Sequence, residues 1–123
     1  MAKILIMDDY PSIRELLAQE FVAAGNAVTM LGKPESLLEE VTAFLPDLVI
    51  MDLFVKGEWQ WEWLAKIKAQ NPGLPVLIYS GYYPEGTHSL SLAEAFVMKS
   101  SDLDELKEAI CRILDQNVLV MNL

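Results

Sequence analysis

The sequence predicts an α/β fold, a doubly wound three-layer sandwich on a five-stranded parallel sheet. Two observations carry this. Short apolar runs alternate five times with segments of helical periodicity, the pattern of repeated βα units. The run Leu48-Val49-Ile50-Met51 is too uniformly apolar for a half-exposed strand, so it reads as a central parallel strand covered on both faces. It stops at Asp52, at the strand end where open α/β sheets bind ligands. With 123 residues, 53% of them hydrophobic, the chain can bury one core, so a single domain over 1–123 is expected.

Taken in order, Lys3 to Met7 is the first strand, ending at Asp8-Asp9. Pro11 presets a helical φ, and Ser12 and Glu15 stand in capping-box spacing. Ile13, Leu16, Leu17, Phe21 and Ala24 form the apolar stripe of the first helix, which Gly25-Asn26 closes. Ala27 to Leu31 is the second strand. A helix from about Glu35 to Phe44 follows, with Leu37, Leu38, Val41 and Leu45 as its buried face and Pro46 as its stop. Beyond Asp52, residues Phe54 to Glu58 read as a loop and Trp59 to Gln70 as a helix. The fourth strand is Pro75 to Tyr79, closing on Ser80. The Gly, Pro, Thr and Ser of 82–91 leave room for only a short helix, about Ser89 to Glu94. Ala95 to Met98 is the fifth strand and ends at Lys99. Ser100-Ser101-Asp102 caps a last helix to about Gln116 that turns Leu103, Leu106, Ile110, Ile113 and Leu114 to the sheet.

The net charge of −9 disfavours nucleic acid or an anionic membrane, because binding either requires clustered Lys and Arg. A cation or a basic partner surface suits it better. No apolar run is of membrane-spanning length, and the first residues lack a signal-peptide layout, so a cytoplasmic protein is expected. The single cysteine, Cys111, fits a reducing compartment and reads as a small hydrophobe at a helix edge. His88 reads as exposed in a polar loop.

Right-handed crossovers keep the five strands parallel, so Asp8, Asp9, Asp52, Ser80 and Lys99 converge on one sheet edge. Two carboxylates about 4 Å apart repel by roughly 4 kcal/mol at an effective dielectric near 20, so three together ask for a cation. All-oxygen ligands match Mg²⁺ or Mn²⁺ rather than zinc.

Over its whole length the chain resembles a response-regulator receiver domain of bacterial two-component signalling. Asp8-Asp9 after the first strand, Asp52 in Val-Ile-Met-Asp-Leu, Ser80 after the fourth strand and Lys99 in Phe-Val-Met-Lys match the family's signature positions in order and context. The resemblance implies the flavodoxin-like strand order 2-1-3-4-5. It implies Asp52 as phosphoacceptor, and Asp9, Asp52 and the Phe54 carbonyl as Mg²⁺ ligands with Asp8 acting through water. Ser80 and Lys99 would bind phosphoryl oxygens, and Phe96 would be the switch aromatic. Its partners would be a sensor histidine kinase or phosphotransfer protein and a downstream protein target. The chain is expected to be no enzyme beyond assisting its own phosphorylation and dephosphorylation. Ser100 replaces the family's usual proline after the lysine, so a cis peptide is not expected there. Lys56 and Gln60 stand where proline and glycine are common, and the Ser80 to Lys99 interval is short, which reduces the fourth helix.

Trp59, Trp61 and Trp63 cannot all face inward on one helical turn. Trp63 is expected to be buried and at least one of Trp59 and Trp61 exposed as a partner contact. The apolar tail Val118 to Leu123 is expected to pack back on the domain or to pair with another chain, as in a homodimer. Two other readings compete: a receiver-like docking module that never uses phosphate, and a Mg²⁺-dependent phosphatase of the haloacid-dehalogenase type. The phosphatase needs a second acid two residues after Asp52, where Phe54 stands.

Overall fold

Alternation of strand and helix dictates the architecture, and a computed structural model shows how it closes. The structure describes residues 1–84 and 89–121, the side chains of 89–90 and 116–121 excepted. In chain order the elements are β1 (Lys3–Met7), α1 (Pro11–Ala23), β2 (Ala27–Leu31), a 3-10 turn (Pro34–Ser36), α2 (Leu37–Phe44) and β3 (Leu48–Met51). There follow β4 (Phe54–Val55), β5 (Glu58–Trp59), α3 (Trp61–Gln70), β6 (Val76–Ser80), a second 3-10 turn (Ser89–Leu92), β7 (Ala95–Met98) and α4 (Asp104–Met121). The main sheet runs β2-β1-β3-β6-β7, parallel throughout. That is the expected 2-1-3-4-5 order once the two short strands β4 and β5 are set aside.

Alternation of side chains along each strand fills two cores. Ile4, Ile6, Leu48, Ile50 and Leu77 pack with Leu17 and Phe21 of α1 and with Leu106, Ile110 and Ile113 of α4. Leu5, Met7, Val49, Met51 and Ile78 pack against Leu37 and Val41 of α2 and Leu64 and Ile67 of α3. All four residues of β3 are buried, as its unbroken apolar run requires. With both faces of the sheet covered by helices, strand ends are the one place left for polar chemistry.

Several local expectations fail for identifiable reasons. Ser12 and Glu15 form no capping box, because Pro11 is the first helical residue and Ser12 already lies inside α1; Tyr10 takes the N-cap position. Leu16 and Ala24 are exposed, which leaves Leu17 and Phe21 as the buried stripe. Leu45 is 69% exposed, because it ends α2 in the left-handed region (φ 54°) ahead of Pro46 and its side chain leaves the helix face. The 54–58 segment is an antiparallel hairpin of β4 and β5, reversed by Lys56 (φ 52°) and Gly57 (φ 78°), the double positive φ of a tight hairpin turn. The hairpin consumes Trp59, so α3 begins at Trp61.

Asp102 does cap α4, its Oδ1 accepting the Asp104 N–H at 2.9 Å. The α4 backbone stays helical beyond Gln116, through Val118 to Met121, while Asn122, Leu123 and His88 lie outside the described residues. Cys111 is exposed. The fourth helix reduces to the Ser89–Leu92 turn. No helix among the described residues is long and apolar enough to cross a membrane.

Candidate functional site

β1 and β3 are neighbours in register, Met7 beside Met51, so the residues that follow them leave the sheet together. The Asp52 N–H donates to the Met7 carbonyl at 2.9 Å and the Asp8 N–H to the Leu31 carbonyl at 3.0 Å, extending the ladders past the strands. Asp8, Asp9 and Asp52 thereby bring one carboxylate oxygen each to within 4.8 Å of one another. Lys99, one residue past β7, reaches across the edge. Its Nζ donates to Asp8 Oδ2 at 2.6 Å and to Asp52 Oδ2 at 2.7 Å, and lies 5.3 Å from the centre of the Tyr10 ring.

The remaining oxygens of the two buried acids are also occupied. Asp8 Oδ1 accepts the Tyr10 N–H at 2.9 Å, and Asp52 Oδ1 accepts the Phe54 N–H at 3.0 Å. Asp9 differs, for its Oδ1 is buried and has no hydrogen-bond partner among the described residues. A buried unpaired carboxylate oxygen costs free energy unless a ligand meets it. Three carboxylates against one ammonium leave two negative charges at the edge, the charge of a divalent cation. The donor set is all oxygen, which fits Mg²⁺ or Mn²⁺.

Burial pushes the Asp8 carboxyl above the ordinary carboxylate range, with the Asp52 charge adding to the push and the Lys99 and Tyr10 hydrogen bonds resisting it. For Lys99, burial opposes the charge, but hydrogen bonds to Asp52 and Asp8 and their negative charges outweigh it. The ammonium is therefore held above its ordinary range. Lys99 stays fully protonated at neutral pH.

Ser80 is fully buried at the end of β6; its carbonyl accepts the Lys99 N–H at 2.9 Å and its Oγ accepts the Tyr82 N–H at 3.3 Å. Phe96 is half-buried on the α2–α3 side with Tyr83 edge-on at 4.9 Å, so it stands apart from the acids. A cleft of about 420 Å³ opens over Asp52 and Lys99, walled by Tyr10, Phe54 and Tyr82 and edged by Lys56, Gly57 and Gly81. Phe54 packs between Trp59 and Tyr82, both at 4.8 Å and tilted by 56° and 58°, and Trp59 stacks on Trp61 at 6.2 Å. Trp59 is the exposed member at 38%. Trp61 and Trp63 are half-buried, and Trp63 carries Lys66 over its ring at 4.7 Å in place of the expected full burial.

Sequence reasoning missed Tyr10, Tyr82 and Arg14. Tyr10 follows the acid pair directly and Tyr82 follows Ser80 by two, so proximity to the strand ends was the available signal. Arg14 lies one helical turn into α1, yet its Nη1 reaches back to donate to the Asp8 carbonyl at 2.6 Å.

Comparison with known proteins points the same way. Residues 4–111 match the family model of the response regulator receiver domain. The chain is 30% identical over 116 residues to sporulation initiation phosphotransferase F of Bacillus subtilis, covering 91% of this chain and 93% of that protein. It is 32% identical over 117 residues to the DNA-binding transcriptional regulator NtrC of a Bradyrhizobium species, covering 90% of this chain but 24% of that one. The chain thus spans about a quarter of the length of that regulator. Among solved structures, the response regulator TrrA of Thermotoga maritima in complex with Mg²⁺ and BeF superposes with a TM-score of 0.83 at 31% identity, covering 93% of this chain and all of that one. A complex of the histidine kinase ThkA with TrrA gives 0.82 at 30% identity, covering 93% of this chain and 99% of that one.

Proposed function

The chain belongs to the response regulator receiver family, and from that premise we propose that it accepts a phosphoryl group on Asp52 from a sensor histidine kinase or phosphotransfer protein and so switches a protein-interaction surface. One observation carries the reading. Asp8, Asp9, Asp52 and Lys99 meet at one sheet edge, where Asp9 Oδ1 is buried and has no hydrogen-bond partner among the described residues. Asp9 and Asp52, with the Phe54 carbonyl and with Asp8 through water, would hold Mg²⁺ or Mn²⁺. That ion would supply positive charge to the phosphoryl oxygens.

The chain's own residues do the rest. The Asp52 carboxylate attacks phosphorus as the phosphorus–nitrogen bond to the donor imidazole breaks, and the imidazole nitrogen leaves with the bond's electron pair. Lys99, already held charged against Asp52, faces the developing negative charge. Tyr10, Phe54 and Tyr82 narrow the approach. The acyl phosphate then carries nearly two negative charges, enough to draw in the Ser80 hydroxyl from the Tyr82 N–H and so to shift the Tyr82–Tyr83 segment that packs on Phe96. Driving such a switch from mostly off to mostly on takes about 5.5 kcal/mol of differential stabilisation, within reach of two or three charge-assisted contacts. Trp59, exposed and packed against the Phe54 ring, is a contact point for the partner.

Incubation with acetyl phosphate and Mg²⁺ tests the reading, since a small donor needs no kinase recognition. Intact-protein mass spectrometry should show one added phosphoryl group on the wild type and none on Asp52→Asn. Ser80→Ala should be labelled yet fail to switch. A wild type that binds Mg²⁺ and takes up nothing would overturn the proposal in favour of a phosphate-independent docking module.

A further inference from the structure

Asp8 and Asp52 are each fixed by hydrogen bonds to their side chains, from Lys99 and from a backbone N–H. Asp9 Oδ1 has none, so the orientation of the Asp9 carboxylate rests on its backbone. The peptide that carries it is the Asp8–Asp9 unit, whose carbonyl receives Arg14 Nη1 at 2.6 Å. The Arg14 guanidinium is itself seated against Gly32, just past β2. A Cβ added at Gly32 would lie 2.8 Å from Nη1 and 3.3 Å from Cζ. A side chain there would therefore push the guanidinium off the carbonyl.

From this geometry we infer that Arg14, seated on Gly32, is a positioning residue for the cation site, holding the Asp8–Asp9 peptide so that Asp9 presents its unpaired oxygen to the metal. The inference rests on the metal-binding reading above and adds to it a residue outside the acid set. It also makes a prediction opposite in sign to simple electrostatics. As a bare positive charge near a cation site, Arg14 would weaken Mg²⁺ binding, and its removal would tighten it. As the brace of a ligand-bearing peptide, its removal loosens binding by about 10-fold, the usual scale for losing a group that orients a metal ligand.

Gly32→Ala separates the two roles. The clash is with the far end of a flexible side chain, so the fold accommodates it, and the charge of Arg14 is kept while its contact is lost. Mg²⁺ is titrated calorimetrically into wild type, Arg14→Met, Arg14→Lys, Gly32→Ala and the Arg14→Met/Gly32→Ala double variant. Circular dichroism and thermal unfolding without Mg²⁺ verify the fold of each. The expected result is weaker binding in Arg14→Met and Gly32→Ala, partial rescue in Arg14→Lys, and a double variant no weaker than Arg14→Met. Unchanged or tighter binding in Arg14→Met overturns the inference, as does a Gly32→Ala loss that persists at full size without Arg14. If Arg14→Met fails to fold, unchanged binding in Gly32→Ala overturns it alone. A wild type that binds no Mg²⁺ overturns the metal reading itself, a result distinct from equal binding by all variants.

Discussion

Two connections, β1–α1 and β3–α3, leave adjacent strands at the same edge and each delivers carboxylate to one site, yet they are held by different chemistry. The first is three residues long, Asp8 to Tyr10, and is tied by hydrogen bonds. The Tyr10 N–H meets Asp8 Oδ1, Arg14 meets the Asp8 carbonyl, and the Asp8 N–H meets Leu31. The second runs from Asp52 to Gln60 through a hairpin and is held by buried Leu53 and Val55 and by the Phe54, Trp59 and Tyr82 rings. Its polar ties are the short β4–β5 ladder and the Gln60 N–H to the Leu53 carbonyl at 2.7 Å, which closes the base of the hairpin. The difference teaches how one site combines precision with movement. Hydrogen bonds fix direction, while stacked rings hold a segment firmly and still let it slide to another packing.

Among the described residues Lys99 is the one side chain that bonds to acids of both connections, so removing it tests them together. Lys99→Met should cost about 3 kcal/mol in urea unfolding at neutral pH, because it leaves Asp8 and Asp52 buried without their shared cation. Phosphoryl uptake should vanish with it. A loss well under 1 kcal/mol would show that the acids are solvated rather than paired.

The apolar tie of the second connection is sharpened by Leu53→Ala. Leu53 is fully buried against the α2–α3 core, so truncation should cost about 2–4 kcal/mol while leaving the hydrogen bonds of Asp8 untouched. Chemical-denaturation midpoints measure it. Gly57→Ala probes the hairpin turn alone. Gly57 sits at φ 78° with no atom within 4 Å of an added Cβ, so the expected cost of about 1 kcal/mol is purely backbone strain. A neutral substitution would mean that the turn has relaxed to another type.

The same contrast explains what the sequence revealed. Strand positions and the acid site were legible because burial enforces them: β3 can be nothing but a central strand, and its end fixes Asp52. The Asp8-Asp9 pair and Lys99 follow from register between neighbouring strands. The hairpin was illegible because Lys56, a non-glycine residue with φ 52°, hides the turn signal that Asn-Gly or Asp-Gly would have shown. Leu45 misled for a related reason, since an apolar residue at a helix end looks like one more member of the stripe. Arg14 was invisible because nothing in one chain's sequence says that an arginine one turn into a helix folds back onto a carbonyl.

The smallest effect concerns the electrostatic cost stored in the first connection, and its sign follows from Asp8. Burial holds the Asp8 carboxyl above its ordinary range despite Lys99 and the Tyr10 N–H. A raised folded value means that the native state binds the proton more tightly than the unfolded chain does. The contribution to stability is then fully present below the ordinary carboxylate range and is lost as pH rises through the folded value. Once ionised, Asp8 is thus a net burden on folding of the metal-free chain. Asp8→Asn, similar in shape and uncharged, should raise the metal-free thermal midpoint slightly at neutral pH. The gain should shrink as the pH is lowered through the carboxylate range, where wild-type Asp8 is itself neutral. Thermal unfolding of both proteins across that range, without added divalent cation, measures the difference. A destabilised Asp8→Asn at neutral pH would show that the Lys99 contact outweighs burial, and that the first connection carries no stored strain.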